Sequence, residues 1–256
     1  MQGSESKDLE NRPLSLIYQL EPELFGNYPS DTFPLLIKII NAKRDLSLQV
    51  HPNDLQAKIM ENQRYGKDEC WLILKKSLLT KISVGVKINN LPYVKKFVLS
   101  GKAEKIANVF LLGKKRAFYI PAGTMHALKK NTIVYELQQP SDLTYRISDY
   151  GRLENGKLRT LHLEKAVKTL TPIQEHDYSL SIKELKTRPE KFGLTIMNNF
   201  DQHPLSDLTN YFVIATCLTN SGIIYGKNVK RLETFIVTNK ELTTKEIIQQ
   251  GKFAIA

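Results

Sequence analysis

Apolar and polar residues alternate in many short runs along this chain of 256 residues. In LSLQVHP, residues 46–52, apolar residues alternate with polar ones that include Gln49 and His51. In LTYRISDY, residues 143–150, the same alternation places Arg146 on the polar face. A period of two residues predicts strands with one apolar and one polar face. Many such strands with few helices favour a mainly β fold, a sandwich or barrel of the jelly-roll type.

Two segments near the start depart from this alternation. The run FPLLIKIINA, residues 33–42, is apolar almost throughout and predicts a strand buried on both faces. After Pro52, either Asn53 or Asp54 is placed to cap a helix whose apolar side would carry Leu55 and Ile59.

Two further helical patterns complete the first part of the chain. Residues 91–110 predict a short helical insertion, and KLRTLHLEKAVKTL, residues 157–170, predicts an amphipathic helix. Together with the strands, these helices predict a first domain over residues 1–170. Residues 171–256 hold short β-like runs separated by Asn, Gly and Lys, and they predict a smaller, β-rich C-terminal accessory domain.

The composition bears on possible partners. With 41% hydrophobic and 25% charged residues, the chain resembles an ordinary globular protein, and no apolar run approaches the roughly 20 residues that span a bilayer. The formal net charge of +11 comes mainly from scattered lysines, without a basic arm or a nucleic-acid-binding motif. We therefore expect no membrane and no nucleic acid as a partner, although the charge suits a phosphorylated small molecule.

Cysteine usage and the opening residues bear on the compartment. Cys70 and Cys217 are the two cysteines, far apart in sequence and outside any CxxC spacing, which is typical of reduced thiols in a strand core. The opening MQGSESKDLENRP lacks the basic and then apolar pattern of a secretory signal. These features predict a cytoplasmic protein.

Four side chains form a candidate metal site. Gln49 and His51 share one strand face, Glu69 follows after a break, and a P-x-G-x-x-H motif ends at His126. Two imidazoles with carboxylate and amide oxygens suit one zinc ion, with manganese, cobalt or iron as substitutes. Single buried histidines bonded to backbone are the ordinary alternative, but the joint pattern favours a metal. It resembles the cupin-barrel signature, with Gln49 replacing the first histidine.

Successive blocks between Phe33 and Thr171 resemble type I phosphomannose isomerases. The blocks are FPLLIKIINA, LSLQVHP, GKDECW, IPAGTMHAL, ELQQPSDLTYRISDYGR and GKLRTLHLEKA. The resemblance implies a cupin-type jelly-roll barrel with a few flanking helices. It also implies zinc-dependent interconversion of mannose 6-phosphate and fructose 6-phosphate through a cis-enediol. Short bacterial members carry a further tryptophan-rich stretch before the position of Phe33, so the barrel is expected to lack outer strands.

The resemblance also implies roles for single residues. The four side chains of the candidate site would bind the metal, and Arg146 would be the catalytic arginine. Lys67, Asp142 and Arg152 would line the same pocket, with Lys67 and Arg152 binding substrate. Lys67 and Asp142 are both candidates for the base that moves the proton, and the sequence does not choose between them. Glu136 faces either this pocket or a neighbouring strand.

Two other functions remain open at this point. A non-catalytic, metal-bound cupin that binds sugar phosphates as a sensor or subunit is the main alternative. An iron-dependent cupin oxygenase is disfavoured because Gln49 replaces a histidine. The sequence leaves open whether the chain is a monomer or a homodimer.

Overall fold

The alternating pattern is realised as short strands in the computed structural model of the chain. The structure describes residues 6–8, 10–77, 79–112, 117–171, 178–180, 191–198, 205, 209–242 and 248–256. The helices are α1 Leu14–Leu20, α2 Asp54–Glu61, α3 Leu91–Leu99, α4 Ala103–Ile106 and α5 Leu163–Thr169, with 3-10 turns at Pro22–Phe25 and Asn239–Glu241. The strands are β1 Leu36–Ala42, β2 Leu48–Val50, β3 Glu69–Lys76, β4 Lys81–Val86, β5 Ala107–Leu111, β6 Ala117–Ile120, β7 His126–Leu128, β8 Thr132–Gln138, β9 Tyr145–Ser148, β10 Leu153–Glu154, β11 Lys157–Leu158, β12 Ser179–Leu180, β13 Thr195–Asn198, β14 Val213–Cys217, β15 Ser221–Ile224, β16 Lys227–Lys230, β17 Thr234–Val237, β18 Ile248–Gln250 and β19 Lys252–Ile255.

The described chain divides into two units. One comprises Met1–Pro34 with Gly193–Ala256, and the other comprises Leu35–Phe192. The domain boundary expected after residue 170 stays a prediction. No helix among the described residues is long and apolar enough to cross a membrane.

The Leu35–Phe192 unit is built on two antiparallel five-stranded sheets, with strand orders β1-β8-β3-β6-β12 and β5-β4-β7-β2-β9. Trp71, Phe118 and Val134 of the first sheet pack against Ile82 and Val84 of the second. The apolar contact between the two inner faces therefore forms a jelly-roll core. The predicted mainly β architecture is confirmed.

The second sheet is also covered on its outer face. Helices α3, α4 and α5 supply apolar side chains that pack against β2 and β9, and the buried residues of this layer include Leu48, Val50, Val94, Val98, Tyr145, Ile147, Ala166 and Val167. Because side chains alternate along a strand, Leu48 and Val50 face the helices while Gln49 faces the inside of the barrel. The helical insertion predicted near residues 91–110 provides part of this outer layer.

Two details of the predicted elements are wrong. Strand β1 lies at the edge of its sheet, paired with β8 alone, so Ile39 is 40% exposed instead of buried. Asn53 does cap α2 through a capping box with Gln56, but Leu55 and Ile59 point outward and are 68% and 73% exposed. The Gln56 amide donates to the carbonyls of residues 168 and 169, and these bonds help to fix the rotation of the helix.

The helix expected over residues 157–170 begins later than predicted. Strands β10 and β11 pair around Asn155 and Gly156, whose φ angles are +52° and +76°. Two central residues with positive φ form the tight hairpin turn that an Asn-Gly pair favours. Helix α5 therefore starts at Leu163, and Leu161 lies before the helix with 42% of its surface exposed.

The other unit is also rich in strands. Its larger sheet has the order β13-β19-β14-β17, and its smaller sheet has the order β16-β15-β18. Phe25, Phe33 and Phe212 make ring contacts with centroids 5.3–6.0 Å apart, an arrangement in which aromatic pairs add stability beyond area burial. The expected β-rich C-terminal region is confirmed.

Gly66 allows its own segment of the chain to pass very close to the backbone of Pro52 and Asn53. A Cβ atom at this position would lie 2.4 Å from the Asn53 carbonyl carbon and 2.5 Å from the Pro52 carbonyl oxygen. We expect Gly66→Ala to lower the free energy of unfolding by about 1–3 kcal/mol, because the backbone must move to relieve the overlap. Urea unfolding followed by the fluorescence of Trp71, the single tryptophan, measures this change.

Gly101→Asn is the matched control. Gly101 has a φ of +69° and open space around its Cα, and asparagine tolerates this conformation better than most residues. Its unfolding midpoint should stay close to that of the unsubstituted chain. An equal loss in both variants would contradict the steric argument.

Candidate metal centre

Three predicted metal ligands converge between the two sheets. His51 directly follows β2, Glu69 opens β3 and His126 opens β7. His126 Nε2 lies 3.2 Å from Glu69 Oε1, and His51 Nε2 lies 3.4 Å from Glu69 Oε2. One ligand atom from each residue lies within 4.8 Å of the others, and all three side chains are buried. Residues from three separate segments thus surround one point.

Gln49 reaches the same point. Its Nε2 lies 3.4 Å from His51 Nε2 and 3.3 Å from His126 Nε2, and its Oε1 accepts a hydrogen bond from the Ser47 hydroxyl at 3.1 Å. The two ends of an amide have nearly the same shape, so a half-turn presents the oxygen to the histidines. All four predicted ligands therefore lie together.

Backbone carbonyls orient both imidazoles. His51 Nδ1 is 2.8 Å from the Leu143 carbonyl oxygen, and His126 Nδ1 is 2.9 Å from the Thr124 carbonyl oxygen. A carbonyl only accepts, so each Nδ1 carries the proton and each Nε2 directs a lone pair inward. Burial, reinforced by the charge of Lys67, lowers the pKa of His51 to about 3, and burial also lowers the pKa of His126. Both rings are neutral near pH 7.

The Glu69 carboxylate completes a donor set that fits a cation. Burial opposes its ionisation, but the adjacent Lys67 ammonium holds the pKa of Glu69 well below its usual range. Both carboxylate oxygens are buried and face the lone pairs of His51 and His126, and Oε2 also pairs with the Lys67 ammonium at 3.0 Å. Acceptors that face one another in a dry interior are costly unless a cation lies between them. His51, Glu69 and His126 can therefore hold a divalent metal ion.

A glycine turn connects the ligand segments. The Gly123 N–H donates to the His51 carbonyl at 2.8 Å, and the Ala122 N–H donates to the Asp68 carboxylate at 2.6 Å. Gly123 has a φ of +86°, and a Cβ atom there would lie 2.5 Å from Thr171 Oγ1. The glycine of the P-x-G-x-x-H motif is thus required by both backbone conformation and space.

Lys67 and Glu136 lie beside the ligands. Lys67 is 5% exposed, and its Nζ lies 3.0 Å from Glu69 Oε2 and 3.9 Å from Glu136 Oε1. Burial works against its charge, but these two carboxylates raise the pKa of Lys67. Burial and the charge of Glu69 raise the pKa of Glu136 to about 6, while the Trp71 indole donates to Glu136 at 2.8 Å.

Lys38 continues the series of charges toward the surface. Its Nζ lies 4.0 Å from Glu136 Oε1 and 3.2 Å from Asp142 Oδ1, and it donates to Gln138 Oε1 at 2.9 Å. The Asp142 side chain is 63% exposed. Charges of alternating sign run in the order Glu69, Lys67, Glu136, Lys38 and Asp142. Asp142, a predicted catalytic residue, lies at the exposed end.

Arg146 is positioned by the pairing of β2 with β9. Its Cα is directly opposite that of Gln49, and opposed residues of antiparallel strands share a face. Its Nη1 donates to the Thr160 carbonyl at 2.7 Å, while its Nε is buried without a hydrogen-bond partner. Burial, and then the neighbouring charge of Arg159, lower the pKa of Arg146.

Arg152 is held by acceptors of the protein itself. Its guanidinium binds the Asp149 carboxylate, the Asp149 carbonyl and the Asp45 carbonyl. Its expected role in binding substrate stays a prediction.

Sequence reasoning missed Lys38, although a single charged residue within the apolar run 33–42 is a signal that one strand face meets polar groups.

A buried His-Glu-His group between the sheets of a jelly-roll defines a cupin-type protein with a metal-binding centre.

Residues 2–70 match the profile of the phosphomannose isomerase type I catalytic domain. The chain is 38% identical over 179 residues to the probable mannose-6-phosphate isomerase GmuF of Bacillus subtilis, covering 69% of this chain and 57% of that protein. It is 39% identical over 158 residues to mannose-6-phosphate isomerase ManA of the same organism, covering 61% and 50%. Over these stretches the chain is similar to type I phosphomannose isomerases.

Solved structures agree with this similarity. The mannose 6-phosphate isomerase of Bacillus subtilis superposes with a TM-score of 0.82 at 28% identity, covering 96% of this chain and 82% of that one. A phosphomannose isomerase variant from Salmonella typhimurium gives a TM-score of 0.78 at 14% identity, covering 100% and 88%, and shows the fold alone. The sequence matches to GmuF and ManA span 57% and 50% of the length of those relatives.

The geometry predicts that a divalent ion stabilises the chain. Zinc added to chelator-treated protein should raise the melting temperature, and at a hundred times the dissociation constant the stabilisation should be about 2.7 kcal/mol. His126→Ala should lose most of this shift, because one imidazole and its inward lone pair disappear. His162→Ala is the control, since His162 occupies the N-cap position of α5 without a capping hydrogen bond from its side chain and lies outside the group. Equal zinc affinity in the two variants would contradict the assignment.

Proposed function

We propose that the chain is a zinc-dependent aldose–ketose isomerase that interconverts mannose 6-phosphate and fructose 6-phosphate. The observation that carries the proposal is the buried group of His51, Glu69 and His126, with Arg146 on the same sheet face as Gln49, in a chain that resembles this family. The names of its relatives support mannose 6-phosphate as a substrate.

The proposed zinc would be held by His51, Glu69 and His126, with the amide oxygen of Gln49 as a further donor. It would supply Lewis-acid stabilisation of negative charge on the sugar oxygens. Neutral imidazoles with one carboxylate form a borderline-soft donor set that suits zinc better than magnesium or calcium. The remaining chemistry belongs to the side chains around this group.

Isomerisation requires a group that moves a proton. A base removes the proton from C2 of the aldose while the C1 carbonyl oxygen gains one, which gives the cis-enediol. Return of a proton to C1 and loss of the proton on O2 then produce the ketose. Lys67, at 3.0 Å from Glu69, lies much closer to the centre than the exposed Asp142. Lys67 is therefore the nearer of the two predicted bases, but the raised pKa of Lys67 means that its ammonium must first give up a proton before it can accept one, and Glu136 is the carboxylate beside it.

Arg146 would stabilise negative charge that develops during the reaction. A guanidinium stays protonated at any pH at which the protein is folded, so it contributes fixed positive charge and paired donors. Its buried Nε lacks a hydrogen-bond partner among the described residues, so this donor is available to a substrate oxygen. Electrostatic stabilisation of this kind is commonly a large part of catalysis.

The proposal includes a cytoplasmic location. Cys70 and Cys217 are both free and buried, as expected in a reducing compartment. A net charge of +11 favours an anionic small molecule over a neutral one.

A coupled assay with mannose 6-phosphate tests the activity. A chelator should remove turnover, and zinc, cobalt or manganese should restore it. Arg146→Ala should keep its metal content while turnover falls by at least about a hundredfold, the scale for loss of one charge-stabilising group. Arg231→Ala removes an exposed arginine and should leave turnover unchanged. Metal-replete protein that binds fructose 6-phosphate without isomerising it would instead identify a non-catalytic sugar-phosphate-binding cupin.

Lys67→Arg tests the identity of the base. Arginine keeps the positive charge beside Glu69 but does not release a proton near pH 7, so turnover should fall by at least about a hundredfold. Metal content and melting temperature should stay close to those of the unsubstituted protein, and Lys81→Arg, at an exposed lysine, provides the matched control. Substantial activity in Lys67→Arg, together with its loss in Asp142→Asn, would assign the base to Asp142.

A further inference from the structure

The segment from residue 159 to residue 162 runs beside Arg146. The His162 N–H donates to the Arg146 carbonyl at 2.8 Å, and the Arg146 N–H donates to His162 Nδ1 at 3.1 Å. Arg146 Nη1 donates to the Thr160 carbonyl at 2.7 Å. Three hydrogen bonds thus fix this segment against Arg146, and Arg159 directly precedes Thr160.

Arg159 makes only loose contacts with the protein. Its Nη1 lies 3.6 Å from Asp149 Oδ2, and its Nε lies 3.7 Å from Glu154 Oε2. Both separations exceed hydrogen-bond length. Its side chain is 32% exposed, and that of Glu154 is 67% exposed. Within the described part of the chain, these ion pairs leave the guanidinium donors of Arg159 available to another acceptor.

Arg152 differs from Arg159 in this respect. The Asp149 carboxylate, the Asp149 carbonyl and the Asp45 carbonyl all accept from its guanidinium. An incoming anion would have to displace these acceptors and leave the buried Asp149 carboxylate without its closest cation, which is costly. Arg152 therefore suits a positioning role better than direct contact with an anion.

The charges in this region favour an anion. Arg146 is influenced by two other guanidinium groups, Arg152 and Arg159, and by two carboxylates, Asp149 and Glu154. Burial opposes the charged form of Arg146, and Arg159 opposes it further. Like charges held close together in a partly desolvated site are relieved by a counter-ion between them.

We propose that Arg159 and Arg146 together form a subsite for a phosphate monoester, in which Arg159 binds the phosphate directly and Arg152 holds Asp149 in place. Two guanidinium groups supply paired donors that match phosphate oxygens. The identity of the sugar that carries the phosphate rests on the proposed function. Since Arg146 lies opposite Gln49, this subsite adjoins the metal centre, as a phosphorylated substrate of that centre requires.

Calorimetric titration with inorganic phosphate tests the subsite without any turnover. Metal-loaded Arg159→Gln should bind phosphate roughly ten to a hundred times more weakly than the unsubstituted protein, the effect of losing hydrogen bonds to a charged group. Arg159→Lys should recover part of the affinity, because it restores the charge without the paired donors. Arg231→Gln removes the same charge at an exposed position in the other unit and should bind phosphate normally.

The kinetic arm uses the same variants with mannose 6-phosphate. Arg159→Gln should raise KM by a factor similar to its loss of phosphate affinity while kcat changes less. Normal phosphate affinity in Arg159→Gln, or a larger loss in Arg152→Gln than in Arg159→Gln, would overturn the assignment even if the chain is an active isomerase. Phosphate binding that depends on Arg159 in a chain without isomerase activity would uphold the subsite and reject the proposed reaction.

Discussion

A buried carboxylate that faces two neutral imidazoles is the contact on which the inner faces of the jelly-roll depend. Glu69 contributes negative charge where water is excluded, and His51 and His126 direct lone pairs at it. Each partner alone would be costly to bury. Backbone carbonyls hold the imidazoles in the one tautomer that leaves Nε2 free. The fold itself therefore imposes the free-energy cost of holding these lone pairs against the carboxylate. A cation offsets this cost, and binding is thereby linked to folding.

The same carboxylate organises the charges beyond it. Lys67 is charged in the interior because Glu69 and Glu136 lie beside it, and the pKa of Glu136 is raised because Glu136 is buried and Glu69 is close. The inner faces of the two sheets thus contribute different residues to the site. The first sheet supplies Glu69 and Glu136, whereas the second supplies the histidine His126 and Arg146. Apolar residues fill the remaining space between them.

Local patterns in the sequence predicted the features that depend on short spacing. Gln49 and His51 share a face because a strand repeats every two residues, and the glycine turn before His126 has one workable conformation. Lys38 was missed because its partner Gln138 is 100 residues away, joined by a strand pairing that no local pattern encodes. Lys157 and Leu158, which follow the Asn-Gly turn and form β11, were predicted to be helical because the apolar spacing of residues 157–170 fits a helical period.

The bond from the Gly123 N–H to the His51 carbonyl has a consequence for metal uptake. It joins segments that are far apart in sequence through backbone atoms alone, so the fold itself holds the two histidine-bearing segments together. Loading then needs little ordering of the backbone, and most of the entropic cost of closing that long loop is met during folding. The speed of metal capture is accordingly governed by how readily a hydrated ion enters the barrel and sheds its water.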